Sequence, residues 1–177
     1  TMDMKQTILT RRSCRSFTGE QITESECTAL LEAANAAPVA NGNYSDVKIS
    51  VIQDQELLAK IEAAVCAAMP AVGAHPIYHA PTAILISGRK GEGPNAAIPY
   101  CNASCIVENI LLEATDLGLG SIYLFAVPAV MQMLPELCEL AGVPSGFMPI
   151  AMAAVGKGTD GLAAREADRT KIETVRL

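Results

Sequence analysis

The stretch CNASCIVENILLEATDLG (101–118) constrains the fold more than any other part of this sequence. Its apolar residues recur around much of a helical circumference. A helix of that kind belongs in the centre of a domain or of a dimer, where most of its sides are covered. Glu108, Asn109 and Glu113 interrupt it, so it falls short of the roughly 18 to 20 apolar residues a membrane span needs. With 177 residues the chain can build one well-buried unit, and we expect a single domain over 1–177. Half of the residues are hydrophobic and only 18% are charged, and this apolar surplus predicts a buried interface between two copies, a homodimer.

The elements around that helix can be read from local chemistry. Residues 2–12 keep helical spacing through Met4, Ile8 and Leu9. Thr23 and Glu26 form a capping box behind the staple residue Ile22, and Cys27, Leu30, Leu31 and Ala34 continue an apolar stripe up to Pro38. VKISVI (47–52) reads as a strand, 54–68 as a helix, and TAILIS (82–87) as a strand buried on both faces. Between them, Pro70, Gly73 and Pro76 break the chain, and GRKGEGPN (88–95) reads as a mobile connection. We expect both irregular stretches to border a substrate pocket. Gly118 or Gly120 closes the long helix, SIYL (121–124) is a third strand, Pro128 opens a helix over 128–141, and PIAMAAVG (149–156) is a fourth strand. The tail 159–177 is polar, and there is no internal repeat. The pattern predicts an α+β fold, an α/β sandwich in which helices flank a central mixed sheet.

Charge narrows the function. A formal net charge of −6 argues against nucleic acid as a partner. Against that background three of the seven arginines fall within RRSCRSF (11–17), where guanidinium forks and hydroxyls suit a phosphate; from spacing alone, a solvated basic turn competes evenly. The six cysteines read as free thiols, Cys14 among them as a packing residue. Two histidines and no CxxC pair argue against a metal site, and neither His75 nor His79 is assigned a catalytic role. The opening TMDMKQTILTRRS lacks a basic segment followed by an apolar stretch, so a cytoplasmic location is expected.

Taken in order, these motifs resemble the nitroreductase family. Arg11, Arg12, Ser13, Arg15 and Phe17 match its opening pattern, followed by AAPVANGN (36–43), VKISVI, ASCIVENILLEATDLGLGSIYL (103–124) and IAMAAVGKG (150–158). The resemblance implies FMN held between two subunits. Arg11, Arg12, Ser13 and Arg15 would meet its phosphate and ribityl chain. Pro38, Val39, Asn41 and Asn43 would reach it from the partner subunit, and Tyr123, Leu124 and Phe125 would lie over one face of the ring, offering backbone amides. Gly156, Lys157, Gly158 and Arg169 would place basic groups beside the phosphate. Arg165 is the alternative to Arg169, and for Arg165 a solvated tail charge is the favoured reading. The family's frequent Asn-x-Gln-Pro-Trp segment is replaced here by Asn43-Tyr44-Ser45-Asp46, and its acidic residue after the third strand is absent. The implied activity is hydride transfer from NAD(P)H to a nitroaromatic, quinone or similar electron-poor acceptor by a ping-pong mechanism, with no catalytic side chain. The alternatives are a flavin-binding or flavin-modifying protein of the same fold without reductase activity, and a phosphate-binding module built on RRSCR.

Overall fold

The computed structural model describes residues Thr1–Leu177. Its elements are α1 (Met4–Thr10), α2 (Glu24–Asn35), β1 (Val47–Ile52), α3 (Gln55–Ala68), β2 (Thr82–Arg89), α4 (Ile98–Asp116), β3 (Gly120–Leu124), α5 (Ala126–Met131), α6 (Pro135–Leu140) and β4 (Phe147–Gly156). No helix is long and apolar enough to cross a membrane.

The strands form one sheet in the order β1-β2-β4-β3. Every neighbouring pair is antiparallel, which corrects the expected mixed sheet. The one parallel contact is an isolated bridge between Ser13 and Ser121. β2 is buried along seven of its eight residues because both its faces are covered. Ile84 and Ile86 point into a core shared with α2 and α4, while Ala83 and Leu85 point into a second core under α3, α5 and α6. The β2–β4 register shifts between Ile86 and Ser87, opposite Ala151 and Pro149. Proline lacks the amide hydrogen a regular ladder needs, so the shift falls at the residue that cannot donate. Gln132 Nε2 donates to the Pro149 carbonyl at 2.7 Å.

α4 packs on β4, β2 and β3 on one side and on α2 on the other. Its approach is eased by the small residues Ala151 and Ala153 on the facing strand. Only Cys101, Ser104, Cys105 and Glu108, spaced one turn apart, form an exposed stripe. The helix starts earlier than the apolar run does, at Ile98, with Pro99 in its first turn, where the missing amide hydrogen does no harm. It ends in a Schellman motif: Leu119 N donates to Ala114 O at 2.8 Å and Gly118 N to Thr115 O at 3.0 Å, with Gly118 at φ 77°. Gly118, rather than Gly120, is therefore the closing residue.

At α2 the capping box is complete, Glu26 N donating to Thr23 Oγ1 and Thr23 N to Glu26 Oε2. The helix expected over 128–141 is instead two short ones. Pro128 lies inside α5, and Pro135, which cannot continue a preceding helix, starts α6 afresh after the break at 132–134. The tail from 159 onward has no helix or strand.

Ile110 is fully buried on α4. Replacing it with alanine is expected to lower the unfolding free energy by about 2 to 5 kcal/mol in urea denaturation followed by circular dichroism. A loss below about 1 kcal/mol would mean that the covered side of α4 is not the core on which the fold depends.

Candidate functional site

The segment RRSCRSF leaves α1 and crosses the sheet where β3 begins and β4 ends. Ser13 bridges Ser121, Cys14 N donates to Ser121 O at 2.9 Å, and Phe17 bridges Gly158. Thr18 N donates to Lys157 O at 2.9 Å and Thr159 N to Ser16 O at 3.1 Å. Cys14 and Phe17 are buried while Arg12, Ser13 and Arg15 are exposed, so the core anchors hold the polar side chains facing outward. Arg11 is half-buried and pairs with Glu108 of α4 at 3.6 Å. Arg12 and Arg15 have no hydrogen bond or ion pair within the chain.

The neighbouring glycines lie in tight packing beside this crossing. A Cβ on Gly120 would lie 2.7 Å from Cys14 Sγ and 3.2 Å from Gly158 Cα, and one on Gly156 would lie 2.5 Å from Pro81 Cδ. A Cβ on Gly158 would meet Cys14 Sγ at 3.1 Å. The crossing thus demands glycine at 120, Pro81 chiefly demands it at 156, and Gly158 is tight only against the Cys14 thiol.

Ser121 uses its carbonyl to accept from Cys14, so it faces the edge of β3 away from β4. Backbone polar groups change edges at every residue along a strand, which turns the amide of Tyr123 toward that same open edge. The Tyr123 hydroxyl lies 3.2 Å from Ser104 Oγ of α4. Leu124 is buried in the core beneath α5, and Phe125, the residue before α5, is 56% exposed. Residues 11–15, 123 and 156–158 thus meet along one side of the sheet.

The loop 38–46 lies elsewhere. Pro38 is exposed and Val39 packs partly against the α2–α4 core. Ala40 N donates to Asn102 Oδ1 at 3.0 Å, and Asn41 adopts the left-handed conformation, at φ 56°. Farther on, Asp46 accepts from Arg89 Nε at 2.7 Å, and the Arg89 guanidinium lies 4.7 Å from the centre of the Phe147 ring. Asn41, Asn43, Arg89, Glu92 and the 94%-buried Asn102, which is 6% exposed, line a cleft of about 330 Å³. Residues 89–92 of the glycine-rich stretch supply part of its wall, whereas the irregular stretch 70–81 does not reach it. Phe147, packed by Arg89, and Gly156, beside Phe17, are the two ends of β4, about 30 Å apart at the usual strand rise, whereas Asn102 at the cleft and Glu108 at Arg11 are six residues apart on α4, about 9 Å along its axis.

A sequence profile described as the nitroreductase family matches residues 8–157. A protein of Archaeoglobus fulgidus, provisionally named an NADH dehydrogenase/NAD(P)H nitroreductase, is 31% identical over 165 residues, covering 91% of this chain and 88% of that protein. The chain belongs to the nitroreductase family. The crystal structure of a nitroreductase with bound FMN from Desulfitobacterium hafniense superimposes with a TM-score of 0.85 at 21% identity, over 99% of this chain and 100% of the other. A structure from Clostridium acetobutylicum, provisionally named an NADH oxidase, gives a TM-score of 0.73 at 26% identity, over 97% and 99% of the two chains.

Three basic residues at the end of this nitroreductase-family chain are placed differently from one another. Lys157 is bound to Glu20, and that hydrogen bond raises its ammonium pKa above the ordinary lysine value. Arg169 lies exposed in the tail, and no hydrogen bond or ion pair joins it to 11–15. Arg165, read from sequence as a solvated charge, is exposed and also fastened to α1: its backbone N and Nε donate to Leu9 O at 3.0 and 3.1 Å, and a terminal guanidinium nitrogen donates to Ile8 O at 3.2 Å. Burial pushes the Cys27 and Cys138 thiols up, which leaves both poor nucleophiles. Sequence reasoning missed Asn102, Arg89 and Glu108. Asn102 alone left a signal, as a polar residue on the covered side of the most apolar helix.

Gly120→Ala is expected to destabilise the protein by about 1 to 3 kcal/mol in urea melts, because the new methyl overlaps Cys14. Combining it with Cys14→Ala should recover part of the loss. Strict additivity of the two substitutions would show that the crossing is not what demands glycine there.

Proposed function

We propose that the chain is an FMN-dependent oxidoreductase that takes hydride from NADH or NADPH and delivers it to a nitroaromatic, quinone or similar electron-poor acceptor, working as a homodimer of single-domain subunits. The observation that carries this reading is the pair of unpartnered guanidiniums, Arg12 and Arg15, held outward with Ser13 by the buried anchors Cys14 and Phe17. Two uncompensated cations on a chain of net charge −6 fit a dianionic phosphate, whose oxygens accept strong charge-assisted hydrogen bonds. Arg11 already pairs with Glu108 and would contribute less. The open edge of β3 offers the Tyr123 amide as a donor toward the ring, two residues along the strand from Ser121, on which Ser13 and Cys14 pair.

FMN, when bound, supplies the ring that accepts and returns hydride. The chain's own part is to bind the phosphate, to orient the ring edge through backbone donors and to leave one face open. No hydrogen bond or ion pair joins Pro38, Val39, Asn41 or Asn43 to residues 11–15 within one subunit. The family resemblance assigns this loop to the partner subunit's ligand, which supports the homodimer. The names carried by the relatives support the nicotinamide donor.

An absorbance spectrum of the purified protein, taken anaerobically before and after NADH or NADPH, tests the activity. We expect a flavin spectrum that bleaches on addition and returns with a quinone. A flavin-loaded protein that neither nucleotide bleaches would favour the flavin-binding alternative without reductase activity. Arg12→Ala and Arg15→Ala should each weaken FMN binding by about ten- to a hundredfold while circular dichroism stays unchanged. Their melting temperatures should then depend steeply on added FMN. Full flavin content in both variants would remove the phosphate role from RRSCR. Sedimentation at micromolar concentration should give a dimer, and a stable folded monomer would refute that part of the reading.

A further inference from the structure

Arg165 takes up carbonyls that α1 cannot satisfy by itself. The last turn of a helix leaves its carbonyls without intrahelical partners. Arg11 N donates to Thr7 O, while Ile8 O and Leu9 O receive three hydrogen bonds from Arg165, one from its backbone and two from its guanidinium. The same stretch of chain grips the far side of the arginine segment: Lys157 O accepts from Thr18 N, Gly158 bridges Phe17, and Thr159 N donates to Ser16 O. Residues 157–165 therefore form a strap that fixes residues 8–9 at one end and 16–18 at the other. Arg12, Ser13 and Arg15 lie on the span between, pinned at its middle by Cys14 on Ser121 and, at Arg11, by Glu108.

We propose that Arg165 is a positioning residue for phosphate at residues 11–15, acting by holding the last turn of α1 rather than by touching the ligand. This rests on the reading of 11–15 as the FMN phosphate site. Its guanidinium is already engaged by two main-chain carbonyls, and the planar fork is what lets one side chain satisfy both. Released, the turn frays, and the entry to the Arg11–Arg12 pair loses its fixed direction. Binding then requires ordering a segment that the intact strap presents already ordered.

The test compares FMN with riboflavin, which has the same ring and no phosphate, by fluorescence titration of wild type, Arg165→Ala, Arg165→Lys and the double variant Arg12→Ala/Arg165→Ala. Arg165→Ala is expected to weaken FMN about tenfold and to leave riboflavin unchanged. Arg165→Lys, which keeps the charge and lacks the fork, should not restore FMN affinity. In the Arg12→Ala background the loss from Arg165→Ala should shrink, because both act on one segment. Equal losses for FMN and riboflavin would reduce Arg165 to a general structural tie and overturn the proposal. Full recovery by lysine would assign its effect to charge, and strict additivity with Arg12→Ala would assign it to an independent contact; either overturns positioning through 11–15. Wild type that binds FMN no tighter than riboflavin would instead overturn the phosphate reading itself, and with it this role for Arg165. That failure shows in the wild-type arm alone, so the two are distinguishable.

Discussion

The burial of α4 is the constraint on which the other parts depend. A large aliphatic side chain moved out of water stabilises a fold by about 1.5 to 3 kcal/mol, and Ile106, Val107, Ile110 and Leu111 are all covered by the sheet or by α2. That burial fixes the rotation of the helix about its axis. Once the rotation is set, every other side chain on the helix has a determined direction, and three polar ones reach the candidate site. Asn102 accepts from Ala40, Ser104 meets Tyr123, and Glu108 pairs with Arg11. One hydrophobic decision thus places three polar contacts, each with a different segment of the chain.

Much of this was legible in the sequence where the signal is local. The capping box at Thr23, the apolar run of β2 and the glycine after α4 each depend on neighbours within a few residues, and each was found where its chemistry pointed. Strand direction is not local. The expected mixed sheet gave way to a wholly antiparallel ladder because pairing joins Val47–Ile52 to Thr82–Arg89 and that strand to Phe147–Gly156, partners that nothing in the short runs identifies. The division of 128–141 into two helices was readable in principle, since Pro135 cannot continue a helix, but the apolar stripe on both sides concealed the break.

At the site, the sequence disclosed which charges cluster but not which of them are already matched. Arg11, Arg12 and Arg15 look alike in the one-dimensional pattern. In three dimensions Glu108 engages the first and leaves the other two free. Lys157 is bound by Glu20, separated by 137 positions, and Arg165 by carbonyls on α1 that are 156 and 157 positions away. Gly120, which carried no signal of its own beyond closing a helix, is what admits the crossing of RRSCRSF over the strand ends, while Gly156 chiefly admits Pro81.

β4 acts as a ruler for what one subunit can do. At its first residue, Phe147 lies beneath Arg89 and, through Asp46, beside the loop of Asn41 and Asn43. At its last residue, Gly156 touches Phe17 and the arginine segment. α4 ties the same two regions more closely: Asn102, which holds Ala40, and Glu108, which pairs with Arg11, are six residues apart, about 9 Å along the helix axis. The family resemblance assigns both groups to one cofactor, the 38–43 loop coming from the partner subunit. In the proposed dimer a two-fold axis would let each copy offer its arginine segment to one ligand and its 38–43 loop to the other, so that two equivalent sites would arise from one kind of interface.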